Sequence, residues 1–344
     1  MLSESEPRPK RRKRYSGKNP RRFEDKYKEH DPLRYQETVA KVLASGKTPA
    51  GSHVPIMVAE CLEALRLQPG MIGMDATLGN GGHAREILQK IAPGGMLLGL
   101  DVDPIEQPKT ESRMRDEGFT AEVFEAVRSN YAGIGKVLGA RQISGVDFIF
   151  ADLGCSSMQY DDPSRGFSFK LPGPLDMRMN PGRGLSAGEW LQRVSAEKLA
   201  TALAENSDEP RADLIAQNLA GIHFADSPAL VAKLREILAG LDEELVDLTI
   251  RRVFQAIRIE VNDEFAALDR FLQLLPSCLK PGGRVAILTF HSGEDRRVKK
   301  AFQALFRAGV FSELSDQVGV ASADERRANP RSKPAKLRWA VLAD

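Results

Sequence analysis

The stretch Asp75-Ala-Thr-Leu-Gly-Asn-Gly-Gly-His83 decides the fold. It follows a short apolar run, Met71–Asp75, and leads into His83–Ile91, whose apolar residues recur at helical spacing. A strand that passes through a glycine-rich turn straight into a helix is the start of a crossover unit. Outward from it the rhythm repeats. Met96–Asp101, Thr120–Phe124 and Val146–Asp152 have the length and composition of strands, and segments such as Asn130–Leu138 suit helices. Such alternation predicts a parallel sheet covered on both faces.

The rhythm stops after Asp152. From about Asp161 to Val261 a Gly/Pro-rich loop precedes helical segments at Ala187–Val194, Ala196–Glu205, Arg211–His223, Pro228–Leu238 and Leu245–Ile259. Strand signals resume at Arg284–Phe290, after an amphipathic helix (Phe265, Leu268, Phe271, Leu272, Leu275) and the turn Lys280–Gly283. Ala335–Leu342 reads as a closing strand. The expected organisation is an α/β domain in two parts, residues 51–160 and 263–344, interrupted by a helical insertion over residues 161–262.

The 344 residues are 42% apolar and 28% charged, which excludes global disorder. The longest apolar runs are five or six residues, far short of the roughly 18 needed to span a bilayer. Three cysteines, Cys61, Cys155 and Cys278, form neither a disulfide framework nor a metal cluster. A cytoplasmic chain without membrane segment or structural metal is expected. Charge is uneven: residues 1–50 carry a net +7 and the remainder a net −5. Arg8 to Arg22 contains nine basic residues and no acid, with prolines and almost nothing apolar. Residues 1–50 are therefore expected to be a basic, largely disordered arm, suited either to a polyanion or to solubility alone.

Ligands of open α/β sheets bind beyond the carboxyl ends of the strands, near the reversal of strand order. Gly79, Gly81 and Gly82 follow the first strand and allow close approach to the backbone. Asp101 ends the second strand, 22 residues after Gly79, where a carboxylate accepts hydrogen bonds from ribose hydroxyls. Loop and acid together indicate an adenosine-containing ligand without separating NAD from S-adenosylmethionine. The NAD pattern G-x-G-x-x-G fails, because position 84 is Ala. Asp152 ends the fourth strand and is placed to face the reacting end of such a ligand. Cys155 has no base beside it in sequence and suits packing. Phe290-His-Ser-Gly-Glu-Asp-Arg296 ends the fifth strand in a polar cluster that reads as a pocket wall.

Six motifs together resemble the bacterial RsmH (MraW) family. They are Asp75–His83, Asp152-Leu-Gly-Cys-Ser-Ser-Met-Gln159, Arg165-Gly-Phe-Ser-Phe169, Gly173-Pro-Leu-Asp-Met-Arg-Met179, Phe254-Gln-Ala-Ile-Arg-Ile-Glu-Val-Asn-Asp-Glu264 and Phe290–Arg296. The resemblance covers roughly residues 52–342. It implies a class I S-adenosylmethionine-dependent methyltransferase fold, a Rossmann-like sheet with an all-helical insertion that helps bind RNA. It also implies methylation of the N4 amine of a cytosine in the decoding region of 16S rRNA, with the small ribosomal subunit or its rRNA as partner. Carried over by position, the cofactor contacts are Gly81, Gly82, His83, Asp101, Tyr131, Asp152 and Gln159. The candidate substrate contacts, through stacking and phosphate or base-edge hydrogen bonds, are Arg165, Phe167, Arg178, Arg258, Asn262 and His291, and Asp152 and His291 are the expected catalytic residues. Three departures stand out. Val102-Asp103-Pro104 replaces a usual Arg-Asp-Pro, Pro108 is expected to interrupt the next helix, and Gly293 replaces a usual Leu. The long N-terminal stretch is not general to the family.

Overall fold

The computed structural model describes residues 55–344. The basic arm of residues 1–50 lies outside the described residues. Helix α1 (Val58–Leu65) precedes β1 (Ile72–Asp75), α2 (Gly82–Ile91), β2 (Met96–Asp101), α3 (Glu106–Asp116), β3 (Phe124–Arg128), α4 (Ile134–Ala140) and β4 (Val146–Asp152). Helices α5 (Ser157–Asp161), α6 (Ala187–Arg193), α7 (Ala196–Ser207), α8 (Ala212–Leu219), α9 (Ser227–Ile237) and α10 (Glu243–Asn262) follow without an intervening strand. The chain then returns through α11 (Glu264–Cys278), β5 (Leu279–Thr289), α12 (Ser292–Arg307), β6 (Phe311–Leu314), β7 (Gly319–Val320), α13 (Ala323–Ala328) and β8 (Lys336–Leu342).

The strands lie in the order β3-β2-β1-β4-β5-β8-β6, with β7 paired to β8. The first five are parallel, and β8 runs antiparallel to β5, β6 and β7. Strand order therefore reverses between β1 and β4. Register aligns the acidic strand ends along one edge, with Asp75 opposite Phe150, Asp101 opposite Arg128 and Asp152 opposite Leu288. Both faces of the sheet are buried, as the near-continuous run Val146-Asp-Phe-Ile-Phe-Ala151 requires of a parallel strand. Leu268, Phe271, Leu272 and Leu275 of α11 pack on one face with Ile134 and Leu138. Leu65, Ile87, Leu88 and Ile91 pack on the other with Phe148 and Phe150.

The segment between β4 and β5 has a hydrophobic cluster of its own. It gathers Leu191, Leu199, Leu203, Ile215, Leu230, Leu234, Ile250, Val253 and Ile257, all at most 1% exposed. Its one β-type pairing among the described residues is an isolated bridge between Pro174 and Asp226. At Asp263, φ of 53° turns the chain from α10 into α11, and so from this cluster to the core of the sheet.

Three local expectations are corrected. The third strand is Phe124–Arg128 rather than Thr120–Phe124, because the amides of Val123 and Phe124 fold back onto the Thr120 carbonyl in a turn. Pro108 does not interrupt α3. It sits in the first turn, where a missing N–H leaves no helical bond unmade. Strands β6 and β7 went unread, being four and two residues long at the sheet edge.

Candidate active site

The turn after β1 is tied to the end of β2 through one carboxylate. The Gly79 N–H donates to Asp101 Oδ2 at 2.8 Å, and the Asp103 N–H donates to Asp101 Oδ1 at 2.8 Å. Burial pushes the Asp101 carboxyl up to about 6, against those hydrogen bonds. The turn itself depends on Gly81, whose φ of 77° is costly for a side chain. A Cβ there would also sit 3.0 Å from Thr110 Cγ2. Gly82 opens α2, and a Cβ on it would lie 3.1 Å from Pro55. Gly81 is thus required by its backbone conformation, and a side chain at either glycine would crowd its neighbours.

At the reversal of strand order lie two acids, Asp75 buried and Asp152 partly buried, with 26% of its side chain exposed. Asp75 is 1% exposed, and its Oδ2 has no hydrogen-bond partner among the described residues; the same holds for Asp152 Oδ1. Burial pushes Asp75 up to about 7, with Asp101 adding to the rise. Burial likewise pushes Asp152 up to about 8, helped by repulsion from Asp75 and Glu294. His83 stacks on Phe150 with ring centres 4.6 Å apart, and its Nε2 is 2.9 Å from the Ile56 carbonyl. A carbonyl only accepts, so Nε2 carries the proton, and in the neutral ring the lone pair of Nδ1 faces Asp152 Oδ2 at 3.7 Å.

The end of β5 closes this side. His291 Nδ1 accepts the Glu294 N–H at 3.4 Å and so caps α12, while its Nε2 lies 3.2 Å from Glu294 Oε1. Glu294 Oε2 accepts the Phe290 N–H at 2.8 Å. Burial opposes the Glu294 anion, yet His291 and that N–H outweigh burial and hold the carboxyl below its usual range. Tyr131 packs edge-on against Phe271 at 5.3 Å, with its hydroxyl 3.4 Å from the Glu264 carbonyl. Burial pushes its phenol well above the ordinary range.

The residues expected to meet the substrate are mostly committed within the chain. Arg165 is 5% exposed; it donates to Asp103 Oδ2 at 2.8 Å and to the Arg178 and Met179 carbonyls at 3.0 Å each. Gln159 donates to the same Asp103 oxygen at 2.7 Å and accepts the Ser156 N–H. Phe167 is 3% exposed beneath Arg165. Asn262 donates to the Met177 carbonyl at 2.8 Å and accepts the Met179 N–H at 2.7 Å. Arg258 meets Glu264 through two bonds of 2.8 and 2.9 Å and reaches Cys155 Sγ at 3.4 Å. Burial alone would depress the Arg258 guanidinium, but Glu264 beside it wins and the pKa rises. Arg178 is half-buried and paired with Asp176 at 2.6 Å.

The structure thus brings Asp75, His83, Asp101, Asp152, His291 and Glu294 to one edge of the sheet. It gathers Arg165, Arg178 and Asn262 into a clasp on residues 176–179. Asp75, Asp103 and Glu264 were not singled out from sequence. Each stands inside or beside a quoted motif, but nothing in spacing tells an acid that turns inward from one that faces water.

Unpartnered carboxylate oxygens that repel one another call for a cationic ligand. S-adenosylmethionine carries a sulfonium and an ammonium, and the residues present fit it. A sheet of order 3-2-1-4-5, closed by an antiparallel strand and bearing acids at its β1, β2 and β4 ends, defines a class I methyltransferase. More narrowly, the chain belongs to the MraW methylase family, whose sequence pattern matches residues 50–342. Its cofactor is S-adenosylmethionine. Ribosomal RNA small subunit methyltransferase H 1 of Lachnoclostridium phytofermentans is 47% identical over 347 residues, 98% of this chain and 94% of that protein. The protein of the same name from Agathobacter rectalis is 46% identical over 97% of this chain and 98% of its own. Ribosomal RNA small subunit methyltransferase H of Anaeromyxobacter sp. (strain K) is 38% identical over 83% of this chain and 96% of its own. The first two matches take in most of residues 1–50.

Among the described residues no helix is long and apolar enough to cross a membrane. Among the same residues no three His, Cys, Asp or Glu side chains are grouped to hold a metal ion.

Proposed function

We propose that the protein methylates small-subunit ribosomal RNA at the N4 amine of a cytosine in the decoding region. Asp152 carries this reading: a partly buried acid at the β4 end, beside the glycine loop, with one shielded oxygen left unpartnered among the described residues. The names of the relatives support the substrate class, and the six motifs support the target atom.

Bound S-adenosylmethionine supplies a methyl group activated on a positively charged sulfur. Asp101 accepts the ribose hydroxyls while holding the Gly79 loop in place. Asp75 and Asp152 provide negative charge where the donor is positive. The lone pair of cytosine N4 is delocalised into the ring, so the amine is a poor nucleophile and must be aligned with care. Asp152 Oδ1, or a carbonyl of its loop, accepts one N4 hydrogen and fixes the direction of the remaining lone pair. The amine becomes strongly acidic as the methyl group arrives, so a weak acceptor suffices for its proton. Close alignment supplies the larger part of the rate. A base within structured RNA must be turned out of its stack to reach this edge. The helical segment between β4 and β5 presents the RNA, His291 bounds the space for the base, and Tyr131 contributes to the cofactor side. The basic arm adds phosphate contacts without selecting the target.

Incubation of small ribosomal subunits and naked rRNA with methyl-labelled S-adenosylmethionine, followed by nucleoside digestion, tests the reading. N4-methylcytidine is expected. Label at another atom, or none in either RNA form, overturns it.

A further inference from the structure

We propose that Asp103 is a positioning residue, which holds the segment Pro163–Met179 in register with the cofactor loops. Asp103 is fully buried, and each of its oxygens faces a different structure. Oδ1 accepts the Ile105 N–H at 2.8 Å and the Glu106 N–H at 3.3 Å, and so starts α3. Oδ2 accepts Gln159 Nε2 at 2.7 Å and Arg165 Nη1 at 2.8 Å. Its own N–H is bound by Asp101. Asp103 is therefore tied through its N–H to the end of β2, and its side chain meets the start of α3, helix α5 after β4 and the entry to the helical segment.

What Arg165 does with its other nitrogen gives this contact a consequence. Arg165 Nη2 grips the Arg178 and Met179 carbonyls at 3.0 Å, while its own carbonyl accepts the Met177 N–H at 3.0 Å. Asn262 holds Met177 and Met179 from the opposite side. Met177 has φ of 60°, a conformation that persists only where surrounding bonds fix it. Gly166 is packed so closely that a Cβ would fall 2.1 Å from the Pro174 carbonyl. The segment is a strained, tightly folded strap, and its anchor to the cofactor side is the Asp103–Arg165 pair. Such a pair fixes direction as well as distance, because guanidinium and carboxylate are both planar.

The inference rests on the methyltransfer reading only where RNA turnover is measured; its structural arm does not. In Asp103→Asn one oxygen remains. Asn is a good helix start, so that oxygen stays with Ile105 and Glu106, and the amide turns its hydrogens toward Gln159 and Arg165. The strap side breaks selectively. Amide exchange at Met177 and Met179 should then rise about tenfold or more, while α7 and α8 stay protected. S-adenosylmethionine affinity should change little. Turnover per bound RNA should fall by up to about a hundredfold, the effect of a misplacement near 1 Å. Arg165→Lys provides a second variant should Asp103→Asn fail to fold. A lysine keeps the charge beside Asp103 but cannot bridge to the two strap carbonyls, so the same exchange pattern is expected.

Unchanged exchange at Met177 and Met179 in whichever variants fold overturns the proposal. So does a loss confined to cofactor affinity, which would place Asp103 in the cofactor pocket. So does uniform loss of protection across the fold in both variants, which would make the contact a general stability element. If the wild-type chain methylates no RNA while strap exchange responds as described, the substrate reading fails and the positioning role stands.

Discussion

At the sheet edge, Asp75 is buried and Asp152 partly buried, each keeps one shielded oxygen unpartnered among the described residues, and their carboxyls are pushed up to about 7 and about 8. At the foot of the helical segment, Arg165, Gln159, Asp103, Arg258 and Glu264 are just as deep, yet every charge there meets its opposite within 3 Å. Burying an unpaired carboxylate is costly, whereas a paired and hydrogen-bonded one is tolerated. Two acids that repel one another are completed by a cationic ligand, whereas the unpartnered Glu209 Oε2 in the helical segment already has Arg252 3.6 Å away. Unmatched charge marks the place of the ligand, and matched charge marks the frame that holds it.

Arg258→Ala should have the largest effect on folding. It strands Glu264 inside the protein, and breaking one side of a buried pair costs about 3–5 kcal/mol. Chemical denaturation measures it. A cost below about 1 kcal/mol would mean that the pair behaves as an exposed one, and the contrast between the two clusters would fail.

Asp101→Ala should follow. Loss of a charged hydrogen-bond acceptor is worth about 1.5–3 kcal/mol, or roughly ten- to a hundredfold in cofactor affinity. Calorimetric titration reads this directly. Unchanged affinity in a folded variant would remove Asp101 from the cofactor site and leave it a loop staple.

A smaller effect, opposite in sign, is expected from Asp152→Asn. In the folded chain this carboxyl keeps its proton up to about 8, while in the unfolded chain it ionises near 4. The stability it lends is complete below the unfolded value and is lost as pH rises through the folded one. Asn cannot ionise. Without cofactor, the variant should therefore melt above the wild type near pH 9 and draw level near pH 5. A variant that melts lower at both would show that Asp152 is partnered after all. Methyl transfer by the same variant should nonetheless fall sharply.

Arg178→Ala should cost folding less than Arg258→Ala, because its pair with Asp176 is the more exposed of the two, 20% and 22% against 15% and 8%. Abolished methylation in that well-folded variant would show that Arg178 leaves Asp176 to bind substrate.

Much of this contrast was legible in the sequence. Strand–helix alternation revealed the sheet, and Asp101 and Asp152 fall at strand ends because each closes a short apolar run, Met96–Asp101 and Val146–Asp152. The helical segment was readable from the loss of period-two runs. What stayed hidden was direction. Arg165, Arg258 and Asn262 are expected from sequence to offer RNA phosphate or base-edge hydrogen bonds; in three dimensions Asp103, Glu264 and the carbonyls of Met177, Arg178 and Met179 take up their donors. Those partners lie up to 85 residues away, and no periodicity links them. The short edge strands β6 and β7 hid for another reason: too few residues alternate to make a pattern.

The proton balance of cofactor binding tests most directly whether the unmatched acids await a cation. S-adenosylmethionine would be titrated near pH 7 in buffers of differing ionisation enthalpy. A bound cation lowers the carboxyl pKa values, so protons held by Asp75 and Asp152 should be released into the buffer. Release should fade above about pH 9, where both acids are already ionised, and should drop markedly in Asp152→Asn. Binding without proton release at pH 7, or with proton uptake, would contradict the account.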